Sequence, residues 1–125
     1  MTTARARRGA AAHRSGRYAE TLSAWLLRAK GYRVLARRYR VGVGEIDLIV
    51  RRGGVVAAVE VKARADHDRA AESVLLRQRR RVARALEHFL LRRPDLTDLA
   101  VRFDVMLVAP GSWPRHVAGA WRDGE

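Results

Sequence analysis

The alternation of apolar and polar residues along the chain predicts two helices. The first spans about residues 17–30, and Gly31 follows it at the position where helices commonly end. Its apolar side chains recur with the helical period on one face, which we predict to be the buried one: Tyr18, Leu22, Trp25, Leu26 and Ala29. The second helix spans about residues 74–92 and is ended by Pro94, with an apolar face of Val74, Val82, Leu86 and Phe89.

Runs with a period of two predict the strands, over residues 33–41, 45–52, 55–64 and 100–108, with a short last strand over 117–121. The element order α-β-β-β-α-β-(β) is typical of an α/β fold with a mixed sheet flanked by helices. Residues 1–15 lack periodicity and predict a flexible basic arm, and residues 16–125 predict a single domain.

Gly53 and Gly54 separate two strand-like runs and predict a tight hairpin. With a two-residue loop, Asp47 lies opposite Glu60 and Glu45 lies opposite Lys62. Cross-strand partners share a face of the sheet, so these four side chains are expected to cluster. The other face is then the core side, with residues Ile46, Leu48, Val50, Val55, Ala57, Val59 and Val61.

Two facing carboxylates repel each other, and a hard divalent cation such as Mg²⁺ would compensate them. A lysine beside the pair can hold an attacking water or offset developing charge. The face therefore supplies the parts of a metal-dependent phosphodiester hydrolase. The alternative is an ordinary charged hairpin, in which Glu45 pairs with Lys62 and Asp47 pairs with an arginine.

Charge and composition narrow the class of protein. The chain has 26 basic and 13 acidic residues, a net charge of +13, so a polyanion is the expected partner, unless the excess reflects an arginine-rich proteome. Only Lys30 and Lys62 among the basic residues are lysines. The absence of cysteine excludes disulfides and thiolate metal sites. No apolar run is long enough for a membrane span or a secretory signal, so a cytoplasmic protein is expected.

Residues 44–49 (GEIDLI) followed by 59–62 (VEVK) resemble the PD-(D/E)xK nuclease signature. Together with residues 16–20 (GRYAE), Gly31-Tyr32 and 102–105 (RFDV), the set resembles the YraN-like family of small bacterial proteins over about residues 16–121. This resemblance implies a restriction-endonuclease-like fold, which archaeal Holliday-junction resolvases share. It implies that Asp47 and Glu60 ligate Mg²⁺ or Mn²⁺, that the Val61 carbonyl completes the site, and that Lys62 positions the water.

The same resemblance suggests roles for two helical residues, each with an alternative. Glu20 either reaches the metal region or is a solvated acid, and Gln78 either belongs to the site or bonds to backbone. A basic ridge on the second helix, joined by Arg64, is expected to contact phosphates. The ridge consists of Arg77, Arg80, Arg81 and Arg84. Asp104 is expected to form a structural pair with Arg102.

The leading hypothesis is a Mg²⁺- or Mn²⁺-dependent nuclease that acts on DNA, including branched or recombining DNA and repair intermediates. The alternative is a nuclease-like module that binds DNA or RNA without cutting it. A homodimer is expected by analogy only, because cutting both strands of a junction needs two sites.

Overall fold

The computed structural model describes residues 4–63 and 76–123, with the backbone alone for residues 4–15. Its elements follow the predicted order, including the optional last strand. The bounds are α1 Ala4–Ala29, β1 Arg33–Val41, β2 Gly44–Arg52, β3 Val55–Ala63, α2 Leu76–Leu91, a 3₁₀ turn Pro94–Leu96, β4 Ala100–Val108 and β5 Arg115–Trp121. Arg64 and Val74 lie outside the described residues.

The five strands form one open mixed sheet in the order β1-β2-β3-β4-β5. Neighbouring strands are antiparallel except for β3 and β4, which are parallel. Short turns can join only antiparallel strands, whereas a parallel pair needs a crossover, and the chain between β3 and β4 contains α2. The predicted α/β class with a mixed sheet is confirmed.

The sheet is covered on both faces by separate apolar clusters. Leu48, Val50 and Val59 pack with Leu27 of α1, whereas Ile49 and its neighbours pack beneath α2. The α2 residues of that second cluster are Val82, Ala85, Leu86 and Phe89. Adjacent residues of β2 and β3 therefore serve opposite cores, which explains why the two strands are almost continuously apolar.

Helix α1 differs from its prediction in extent and in orientation. It begins at Ala4, so residues 4–15, predicted to be an arm, continue its backbone. The predicted buried face is wrong, because Tyr18 is 67% exposed and Trp25 is 64% exposed. The side that faces the sheet consists of Ala19, Glu20, Ser23, Ala24 and Leu27. Small side chains let the helix approach the strands closely, and the Ser23 hydroxyl donates to the Ala19 carbonyl at 2.7 Å.

Gly44 is the point of closest approach between β2 and α2. A Cβ atom at this position would overlap the backbone carbonyl of Arg81. Backbone cannot move aside as a flexible side chain can, so α2 docks over the start of β2 only if residue 44 lacks a side chain.

We therefore expect Gly44→Ala to lower the free energy of unfolding by about 2 kcal/mol or more, because the helix must shift away from the sheet. Gly42→Ala is the matched control, since a Cβ there meets no atom within 4 Å. Urea denaturation of both variants measures the difference. Equal stability of the two variants would contradict the close approach.

Candidate functional site

The hairpin register matches the prediction as far as Leu48. Paired positions run from Arg52 opposite Val55 to Leu48 opposite Val59. One residue further, the Val61 N–H donates to the Asp47 carboxylate at 2.8 Å. A side chain thus accepts a hydrogen bond that a strand backbone normally accepts, and the two strands diverge at Asp47.

This divergence also interrupts the alternation of β2. Ile46 packs in the cluster beneath α2, whereas Leu48, two residues later, packs in the cluster beneath α1. In an undistorted strand these two side chains would share a face. Asp47 lies between them. The direction of its side chain therefore follows from the distortion of β2 and not from the regular alternation of side chains along a strand.

Glu60 is the least satisfied of the buried acids. Its side chain lies under the beginning of α2, and the residue is only 4% exposed. The Gln78 amide donates to its Oε2 at 3.1 Å, whereas Oε1 is buried without a hydrogen-bond partner among the described residues. This contact brings Gln78 to the predicted site instead of to backbone.

Burial and, after it, the nearby Asp47 charge raise the pKa of Glu60 to about 8. Burial likewise raises the pKa of Asp47, opposed by the Val61 N–H. The Lys62 charge lowers the pKa of both carboxyls, so this half-buried lysine lies within electrostatic reach of the pair. Neither carboxylate forms an ion pair with any residue in the described part of the chain.

Asp104 shows how the same protein satisfies a buried acid. It is fully buried, accepts two hydrogen bonds of 2.8 Å from Arg102, and accepts one of 2.9 Å from the Gly119 N–H. His116 Nε2 lies 2.7 Å from it. Despite burial, these partners lower the pKa of Asp104 to about 2. Its expected structural pairing with Arg102 is confirmed. Glu60 differs in that no charged side chain of the described residues donates a hydrogen bond to it, and its pKa is raised instead of lowered.

Two small clefts border the carboxylates. One, of about 270 Å³, lies beside α1 and is lined by Gly16, Arg17, Glu20, Arg38, Arg40, Glu45, Ile46, Asp47 and Val61. The other, of about 250 Å³, lies beside α2 and is lined by Glu45, Glu60, Arg77, Gln78 and Arg81. We call them the α1 cleft and the α2 cleft. Asp47 thus lines one opening and Glu60 the other, while the charges of Glu45 and Lys62 act on both carboxyl groups.

Glu45 lines both clefts, but its partner differs from the predicted one. It forms an exposed ion pair with Arg40 of β1 at 3.4 Å, and none with Lys62. The reason is register, because Arg40 lies directly opposite Glu45 in the β1–β2 ladder. Glu45 is accordingly held towards β1.

Glu20 is buried rather than solvated, and it borders the α1 cleft with Asp47. Its carboxylate accepts hydrogen bonds from Arg37 at 3.2 and 3.3 Å and from Arg38 at 3.0 and 3.2 Å. Arg38 has a left-handed backbone, with φ at 51°, which is uncommon for a residue other than glycine. Neither arginine was predicted to belong to the site, although the basic run of β1 was the available signal.

The basic ridge is exposed as predicted. Arg77, Arg80, Arg81 and Arg84 all point outward from α2, and Arg77 and Arg81 also line the α2 cleft. Arg64 lies outside the described residues. The ridge therefore borders the opening at which Glu60 is found.

A further cavity, of about 770 Å³, includes none of the predicted site residues. It lies near the other end of α2, where Leu86, Leu90, Leu99 and Trp121 line it. Among residues 4–63 and 76–123, no group of three or more His, Cys, Asp or Glu side chains could hold a metal ion, and no helix could span a membrane. Any metal would rest on two carboxylates and other oxygens.

The model of the Uncharacterised protein family UPF0102 matches residues 19–108, which include every strand residue of the site. This chain belongs to the UPF0102 family. It is 59% identical to a UPF0102 protein of Parvibaculum lavamentivorans over 91% of this chain and 86% of the relative. It is also 52% identical to a UPF0102 protein of Paramagnetospirillum magneticum over 90% of each. The UPF0102 match confirms the family resemblance expected from the sequence.

The raised pKa of the buried Glu60 carboxyl group predicts a pH-dependent stability. Between pH 4.5 and about 8 the folded protein holds a proton that the unfolded chain has released. The free energy of unfolding should therefore fall as pH rises through this window, by at most about 1.4 kcal/mol per pH unit. Glu60→Gln should flatten this slope and be at least as stable as wild type at pH 8. Urea denaturation with chelator at several pH values measures it.

Glu87→Gln, an exposed change of the same kind on α2, is the control and should keep the wild-type slope. A loss of several kcal/mol in Glu60→Gln, on the order of a broken buried pair, would make Glu60 a structural residue instead.

Proposed function

We propose that this protein is a Mg²⁺- or Mn²⁺-dependent nuclease that hydrolyses phosphodiester bonds in DNA. The observation that carries the proposal is Glu60, a buried carboxyl group whose Oε1 has no hydrogen-bond partner among the described residues. Beside it lies Asp47, a half-buried carboxyl group that forms no ion pair within the described part of the chain. Withdrawing two neighbouring acids from water without a cation costs free energy, and proteins accept such costs mainly at functional sites.

The residues fit a hard cation. Glu60 Oε1 and the Asp47 carboxylate are oxygen donors of the type Mg²⁺ prefers. The Val61 carbonyl is the third donor, because the N–H and carbonyl of one strand residue point to the same side and its N–H meets Asp47. When bound, such a metal polarises a phosphoryl oxygen and lowers the pKa of a coordinated water.

Lys62 supplies the positive charge on the protein side. It follows Val61 on β3, and its charge acts on both carboxyls. Its ammonium donates to the attacking water and offsets the negative charge that develops on the phosphate oxygens. Gln78 fixes the orientation of Glu60 through Oε2, which leaves Oε1 as the ligand oxygen.

The scissile phosphate enters through the α1 cleft, where Arg17, Arg38 and Arg40 surround the acids. Arginine forks suit phosphate, so these side chains bind and orient the substrate. Glu20 holds Arg38 in place through its ion pair and is a positioning residue. The basic ridge of α2 contacts phosphates further along the nucleic-acid strand.

A binding module that does not cut is the second candidate. The observation that favours it is the double ion pair of Glu20, which leaves the site with two carboxylates instead of three. In either case the partner is nucleic acid, with DNA preferred over RNA. A nuclease for branched DNA would act as a homodimer, which supplies one site for each strand.

Lys62 separates the two candidates. Its loss removes an interaction that is stronger in the transition state, so Lys62→Ala should lower the single-turnover cleavage rate by about 10² or more. DNA affinity should change less than about threefold, because one phosphate contact among many is minor. Lys62→Arg should not restore the rate, since a planar fork is larger than an ammonium.

Linear, supercoiled and four-way-junction DNA are the substrates, tested with Mg²⁺, Mn²⁺ or chelator. Asp47→Ala serves as the control for contaminating nuclease and should be inactive. If wild type cuts none of them while Lys62→Ala alters affinity alone, the protein is the binding module.

The basic ridge makes a separate prediction about salt. About six phosphate contacts predict a slope near −5 for log affinity against log salt concentration. Arg80→Ala with Arg84→Ala should make this slope shallower by about 2. Arg93→Ala is the control, because Arg93 is engaged by Asp95 at 2.9 Å beyond the end of α2. If the double variant leaves the slope unchanged, the basic ridge is not part of the nucleic-acid interface.

A further inference from the structure

The outward face of α1 is aromatic and basic. Tyr18 and Trp25 are seven residues apart, so they lie on one side of the helix, opposite the side that packs on the sheet. Arg17, Thr21 and Arg28 are exposed around them. We call Arg17, Tyr18, Thr21, Trp25 and Arg28 the α1 outer face. Large aromatic side chains left exposed together on a rigid helix indicate a binding surface.

The charge of this face selects its ligand. Glu20 is the one acidic residue in α1, and it is turned to the sheet and engaged by Arg37 and Arg38. The outer face therefore carries positive charge alone, from Arg17 and Arg28. Arg28 also lies over the Trp25 ring, with its guanidinium carbon 5.7 Å from the ring centroid, which holds the indole in a fixed orientation. A ligand that complements the face is anionic and has flat rings.

The outer face is continuous with the candidate site. Arg17 lines the α1 cleft with Asp47, and Tyr18 is the next residue. From Tyr18 to Trp25 the helix rises about 10 Å, at 1.5 Å per residue. A nucleic-acid strand that leaves the α1 cleft along α1 would contact first the Tyr18 ring and then the Trp25 ring.

We propose that Tyr18 and Trp25 stack on unpaired bases, so that the protein prefers nucleic acid with a single-stranded segment next to the site. In a duplex the base faces are covered by their neighbours, whereas a single strand or an open branch exposes them to an aromatic ring. The arginines on the same face contact the phosphates of that strand. This inference rests on the proposed function for its class of ligand, but not on cleavage.

Binding in chelator tests it without any hydrolysis. Wild type and variants are titrated with a fluorescent (dT)₁₂ oligonucleotide and with a blunt 12-base-pair duplex, and anisotropy gives each Kd. Trp25→Ala and Tyr18→Ala should each weaken (dT)₁₂ binding about tenfold or more, the effect of losing one stacked base. Duplex binding should change less than about twofold. Trp113→Ala, an even more exposed tryptophan at 83% in the β4–β5 turn, is the control and should change neither.

The proposal would be overturned if the variants weakened binding of (dT)₁₂ and of the duplex equally, or if they weakened neither. So would a sedimentation result in which wild type is a dimer and Trp25→Ala a monomer, since the face would then bind a second copy. Failure of the nuclease proposal would look different. The (dT)₁₂ preference would survive in chelator while no substrate was cut with metal.

Discussion

At Asp47 a side-chain carboxylate takes the place of a backbone carbonyl as the acceptor for Val61. The candidate site depends on this hydrogen bond. It marks the end of the β2–β3 ladder, and next to it Ile46 and Leu48 pack on opposite faces of the sheet. It also keeps the Val61 backbone beside the carboxylate. In the proposed metal site, the three oxygen donors then lie where the paired part of the hairpin ends, in a sheet whose two faces are covered by helices.

Among the residues that the structure describes, three buried acids experience three different environments. Asp104 has Arg102, His116 and a backbone N–H, and its pKa is lowered to about 2. Glu20 has two arginines. Glu60 accepts from the neutral Gln78 amide, its Oε1 has no hydrogen-bond partner among residues 16–63 and 76–123, and its pKa is raised to about 8. The fold can satisfy a buried carboxylate where the role is structural, and the absence of a charged hydrogen-bond partner for Glu60 among the described residues supports the proposed metal site.

Local patterns were sufficient for the strands and for the hairpin, because a two-glycine turn and a period of two fix the register from Arg52 to Leu48. They could not predict which side of α1 is buried. The stripe with Trp25 is more apolar, but Ala19 and Ala24 allow closer packing, and Glu20 finds arginines that are distant in sequence. The approach of Gly44 to Arg81 likewise depends on tertiary contact and has no local signature. Gln78 was found because it departs from the apolar pattern of its own helix.

The central claim is that Asp47, Glu60 and Val61 form a divalent-metal site, and paramagnetic broadening tests it most directly. In amide spectra of the ¹⁵N-labelled full chain, substoichiometric Mn²⁺ should broaden the signals of Asp47, Val61 and Lys62 first. Glu60→Gln should require a much higher Mn²⁺ concentration for the same broadening, and Mg²⁺ should reverse it in wild type. Broadening that begins instead at exposed acids such as Asp95 and Glu87, or that Glu60→Gln leaves unchanged, would contradict the account.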